Sequence, residues 1–172
     1  MASLIENLIT ILEQESSEYE KLLGLSMKKT PVIVAGDLVN LQQITDEEQI
    51  VVGRINHLDG KRNEVIKDIA NVMNKDVETL KLVNLIEMLE SRPQESNRLA
   101  AVHDKLKEVV GNMKRVNEHN RELIANAMEL VEFDMNMIQA MKSAPETANY
   151  NKGAYSAGNL MGTDRGGFDA KS

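Results

Sequence analysis

Three histidines are the first residues to test for chemistry: His57, His103 and His119. Each is solitary, with no His or Cys partner at metal-ligand spacing. A di-iron helical bundle needs two Glu-x-x-His pairs, but the residues three positions before these histidines are Arg54, Ala100 and Val116. A histidine phosphotransfer bundle usually carries Lys three positions after the phosphorylated His. Here those positions hold Gly60, Leu106 and Glu122. No Gly-rich phosphate loop, Ser-His-Asp set or EF-hand loop is present. The chain contains no Cys, which excludes thiol catalysis, Cys-based zinc sites and disulfides. The expectation is therefore a protein that is not an enzyme and needs no cofactor and no metal.

Composition points the same way. The 172 residues carry 20 Lys+Arg against 27 Asp+Glu, a formal charge of −7. Phosphate binding requires a basic face, so a broad nucleic-acid surface is not expected. No run of 18 apolar residues exists to span a membrane. The N-terminus lacks the basic start and apolar middle of a signal peptide. With no Cys, a reduced, cytoplasmic setting is expected. Aromatic residues are scarce, at two Phe, three Tyr and no Trp, yet 42% of the chain is apolar. Such an aliphatic core, with ten Met, suits long helices better than sheets.

The elements that must position any binding surface read as helices. Over residues 3–28, Ile5, Leu8, Leu12, Glu15, Tyr19, Leu22 and Ser26 follow alternating steps of three and four. Thr30-Pro31 has the form of a helix start, with Thr30 as N-cap. A second helix is expected from Pro31 to Asn74, its seam running Leu41, Ile44, Glu48, Val51, Ile55, Leu58, Arg62, Val65, Ile69 and Val72. Gly53 and Gly60 fall opposite that seam and soften the helix without ending it. Asn74-Lys75-Asp76 is a break, and residues 77–90 are expected to form one short helix. From Arg92-Pro93 the last helix carries Leu99, Val102, Leu106, Val109, Met113, Val116, Asn120, Leu123, Ala127, Leu130, Asp134, Met137 and Met141 in heptad register. Some fifty residues of helix make a rod of about 75 Å.

The fold class expected is all-α: an elongated antiparallel bundle of coiled-coil-like helices with a flexible C-terminal tail. The second and last helices pair antiparallel, the first lies beside them, and the short helix caps the turn. Residues 1–142 form the bundle domain. Residues 143–172 hold five of the ten Gly and three of the five aromatics, Tyr150, Tyr155 and Phe168, without a helical apolar period. That composition is expected to remain disordered until a partner orders it. Isolated aromatics on such a string suit short binding motifs.

Polar residues interrupt both long seams. Glu48 and Arg62 lie about 21 Å apart along one helix, so each needs a partner on another helix or in solvent. Asn120 reads as a register-fixing residue, and Asp134 is the second interruption of the last seam. Five Met fall on the last helix, Met113, Met128, Met135, Met137 and Met141, of which Met128 and Met135 lie off the seam. Met packs adaptably, so this end can accept a partner helix.

The pattern as a whole resembles the flagellar export chaperones of the FlgN family. The resemblance rests on the first helix with Glu15, Tyr19, Leu22 and Leu23, and on Gly36-Asp37-Leu38 leading into a heptad run that reaches Leu58-Asp59-Gly60-Lys61-Arg62. It continues through Asn117, Asn120, Leu123 and Ile124, and through Tyr150-Asn151-Lys152-Gly153 and Phe168-Asp169-Ala170-Lys171. It implies a cytoplasmic binding protein that holds hook-associated proteins of the hook–filament junction, prevents their premature assembly and delivers them to the flagellar export gate. It also implies a client surface on Leu123, Leu130, Met137 and Met141 together with the C-terminal region, which carries Phe168. Tyr150, or else Tyr155, would dock on the gate. The alternative is a structural coiled coil that only self-associates as a homo-oligomer.

Overall fold

In the computed structural model, residues 2–143 are described. They form four α-helices and one 3-10 turn: α1 (Ala2–Ala35), α2 (Leu38–Met73), the 3-10 turn Val77–Thr79, α3 (Leu82–Met88) and α4 (Pro93–Ser143). No strand occurs among the described residues. The chain divides into two units, Met1–Asn126 and Ala127–Ser172, and α4 contributes to both.

The first helix is longer than its sequence signals suggested, and Pro31 lies inside it. Thr30 does not cap a helix. Its Oγ1 donates to Asn120 Oδ1 at 2.6 Å. Pro31 is exposed, so water can meet the carbonyl that its missing N–H leaves without a partner. The break comes at Gly36-Asp37. Gly36 has φ +67°, its N–H donates to Ile33 C=O, and the N–H of Asp37 donates to Val32 C=O. This is a Schellman ending, which glycine adopts without a Cβ penalty. Asp37 then caps α2, accepting from the Asn40 N–H at 3.1 Å. The break at Asn74 uses the same pair of bonds, with Asn74 at φ 51°. The expected single helix over 77–90 is split at Leu80-Lys81, because Asp76 caps a short 3-10 turn and Leu80 is drawn into the core.

In the first unit, ion pairs and hydrogen bonds fix the directions of the helices. Arg62 meets Glu15, Arg54 meets Glu18 and Lys29 meets Glu48, so α1 and α2 are antiparallel. Arg98 meets Glu6 and Glu13, Lys105 meets Glu20, and Asn120 meets Ser26 and Thr30, so α4 runs parallel to α1. α2 is therefore antiparallel to α4, as expected. One core cluster joins Ile5, Leu8, Ile9 and Leu12 of α1 to Leu58, Val65 and Ile69 of α2, and to Leu80, Leu85, Leu89, Leu99 and Val102. Fully burying each such side chain is worth about 1.5–3 kcal/mol. A second cluster holds Leu22, Leu25, Val51 and Ile55, with Tyr19, Ile44 and Met113 against it. Val72 departs from the expected seam. It is 58% exposed, and Met73 packs on the core in its place.

α2 continues unbroken through Gly53 and Gly60. A Cβ at Gly60 would meet nothing within 4 Å. Gly60→Ala should therefore raise stability by about 0.5–1 kcal/mol, because the unfolded chain loses freedom and the helix gains a better former. Urea denaturation monitored by circular dichroism checks this, and a lower midpoint would contradict it.

Candidate protein-binding surface

The polar residues on the seams show how this chain treats a charge among apolar neighbours. Glu15 is 1% exposed and stands between Leu12 of the first cluster and Tyr19 of the second. Arg62 Nη1 donates to Glu15 Oε2 at 2.9 Å, and Nη2 bonds Asp59. Burial raises the pKa of Glu15, with the Arg62 guanidinium opposing the rise. Burial also raises that of Tyr19, as does the nearby Glu15 charge. Glu48 accepts from Lys29 Nζ at 2.5 Å and from Ser26 Oγ at 3.2 Å. Asn120 is 5% exposed and bridges to α1 twice, its Nδ2 donating to Ser26 C=O at 2.8 Å. Glu48, Arg62 and Asn120 are thus each answered from another helix.

The histidines are not brought together as a site. His57 is exposed and lines an open groove of about 550 Å³ between α1 and α2, beside Arg54, Glu18 and Gly53. His103 is half-buried and pairs with its neighbour Asp104, Nδ1 to Oδ1 at 3.3 Å, and His119 is exposed. No group of three or more His, Asp or Glu suited to a metal ion occurs among the described residues.

The chemistry-bearing surface is apolar. Within α4, Leu99, Val102 and Val109 are buried, while Leu106, Met113, Val116 and Leu123 are half-buried. From Ala125 to Ser143 every residue is exposed. In 127–143 the side chains of Met128, Leu130, Val131, Phe133, Met135, Met137, Ile138 and Met141 are each 53–73% exposed. At about 100° per residue they cover roughly 220° of the helix surface. Leu130, Met137 and Met141 continue the heptad seam. Met128, Val131, Met135 and Ile138 make a second stripe. The remaining wedge is polar, with Glu129, Glu132, Asn136 and Gln139. Exposed apolar surface of this extent, on the order of several hundred Å², makes this stretch the candidate interaction surface.

Of the residues expected to bind a partner, Leu130, Met137 and Met141 are exposed together in the second unit, and Leu123 is half-buried in the first. Tyr150, Tyr155 and Phe168 lie outside the described residues, as does the expectation of a disordered tail. Phe133 was missed by heptad reasoning because it lies on neither stripe. Its signal was its rarity, since the chain has only two Phe.

Among the described residues, Glu48, Arg62 and Asn120 of the seams are matched from another helix, whereas Asp134 and the large apolar side chains of 127–143 are exposed, so the molecule is an α-helical bundle with a candidate protein-binding face. A profile of the FlgN protein family matches residues 1–156, so the chain belongs to the FlgN family. This is a family of flagellar export chaperones, not of enzymes. Over 133 residues the chain is 24% identical to an uncharacterized protein, YvyG, of Bacillus subtilis strain 168, covering 77% of this chain and 76% of that protein. No solved structure matches the chain. No helix among the described residues is long and apolar enough to cross a membrane.

Proposed function

We propose that this chain is a cytoplasmic chaperone for the hook-associated proteins of the hook–filament junction, holding their polymerising helices and handing them to the export gate. The observation that carries the reading is the run of eight exposed large apolar side chains within 127–143 of α4. An apolar helix surface of this kind is matched by the amphipathic helix of a partner. The client surface comprises Leu123, Leu130, Met137 and Met141, joined by Met128, Val131, Phe133, Met135 and Ile138. Four of these nine are Met, whose flexible thioethers repack against more than one sequence. The charge of −7 keeps such a surface soluble before a client arrives. Tyr150, with Tyr155 as the second choice, docks on the gate, and Phe168 adds a further anchor.

The test is a pull-down of the two junction proteins and, separately, of the export-gate protein by the intact chain, by Tyr150→Ala and by Tyr155→Ala. The intact chain is expected to retain at least one client. One tyrosine variant is expected to keep the client and lose the gate. An intact chain that captures neither junction protein overturns the reading. Light scattering across concentration separates it from the alternative, an oligomer indifferent to both proteins.

A further inference from the structure

We infer that Asp134 selects the client by pairing with a basic side chain set within the apolar face of the client's helix. This rests on the chaperone reading above.

Four polar residues interrupt the long seams of α2 and α4. Glu48 is met by Lys29 and Ser26, Arg62 by Glu15, and Asn120 by Thr30 and Ser26. Asp134 is the fourth. It stands four residues after Leu130 and three before Met137, in the middle of the exposed apolar stripe. Among the described residues it makes no ion pair. While the stripe faces water, its carboxylate is hydrated. Once a helix covers Leu130, Met137 and Met141, that hydration is lost, and an unpaired buried carboxylate is heavily penalised. The occupant must therefore bring a cation to that level. Arginine suits it best, since its fork can hold a carboxylate bidentately.

Charge also argues against a second copy of this chain as the occupant. Residues 127–143 carry Glu129, Glu132 and Asp134 against a single base, Lys142. A parallel pairing in register would set Asp134 against Asp134, and like charges across an interface are disfavoured. An amphipathic client helix with an Arg or Lys in its apolar face fits both the stripe and the charge.

The test uses the full chain and the two purified junction proteins, titrated at low and high salt. Asp134→Asn should weaken binding about tenfold and Asp134→Lys about a hundredfold. Helicity and melting temperature should not change, because Asp134 is exposed. Changing one Arg or Lys in the client's terminal helix to Glu should restore binding to Asp134→Lys within a few-fold. Binding by Asp134→Lys within twofold of wild type overturns the inference and leaves the chaperone reading standing. The same follows if no single charge reversal on the client restores binding, or if Asp134→Asn instead drives self-association through this face. A wild-type chain that binds neither junction protein overturns the chaperone reading and this inference together.

Discussion

At pH 7, Arg62→Met is expected to lower stability by about 3 kcal/mol, the scale of a buried ion pair that loses one partner. Met keeps the packing of the Arg stem, so the loss isolates the charge. Glu15 is 1% exposed and its carboxylate would be left without its guanidinium. The pH dependence follows from the raised pKa of Glu15, whose largest cause is burial, opposed by Arg62. A raised folded-state pKa means that the folded chain holds its proton more tightly than the unfolded chain. The stabilisation by this group is complete below the unfolded value of about 4.3 and is lost as pH climbs through the higher folded value. Removing Arg62 takes away a lowering influence, so the folded value rises further and the window of loss widens. The difference between Arg62→Met and wild type should therefore be small near pH 4 and largest at neutral pH. Replacing both residues, as Glu15→Leu with Arg62→Met, should recover most of the loss, since apolar pairs commonly match buried ion pairs. Urea denaturation across pH measures all three. A pH-independent loss for Arg62→Met would mean that packing, not charge, explains it.

The second large effect falls on binding and leaves stability alone. Leu130→Glu combined with Met137→Glu should weaken client binding at least about a hundredfold, because two apolar anchors are lost and two carboxylates must be desolvated at one interface. Both positions are exposed, so thermal unfolding should stay within about 0.5 kcal/mol of wild type. Gln139→Glu adds a charge on the polar wedge of the same stretch and is expected to bind as wild type does. Calorimetric titration with each junction protein separates the two variants. Equal weakening by both would show general charge repulsion instead of a directional apolar surface.

The seams were legible because heptad spacing translates directly into burial where neighbouring helices are present. Leu8, Leu12, Ile55, Ile69 and Leu99 are buried as their spacing predicts. That Glu48 and Arg62 cannot pair with each other, and so need another helix or solvent, followed from rise per residue alone; Lys29 and Glu15 on α1 are the partners. The α1–α2 boundary was misplaced because Thr30-Pro31 carries the local signature of a helix start. Long-range bonding from Asn120 takes Thr30 instead, and Gly36, able to adopt φ +67°, makes the turn. The split at Leu80-Lys81 was invisible to periodicity because burial of Leu80 interrupts what reads as one short helix. The heptad rule marked Leu130, Met137 and Met141. Val131 and Ile138 fall on the second flank of the same heptad register, whereas Phe133 lies on neither flank, and spacing gave no reason to select it.

The most direct test is hydrogen exchange on the intact chain, alone and then saturated with a junction protein. The account predicts that amides from about Leu123 to Met141 exchange freely in the chain alone and become strongly protected when the client binds, while the Leu8–Leu99 core is protected in both states. Client-induced protection confined to the groove lined by Ile50, Gly53 and His57, with residues 123–141 unchanged, would contradict it.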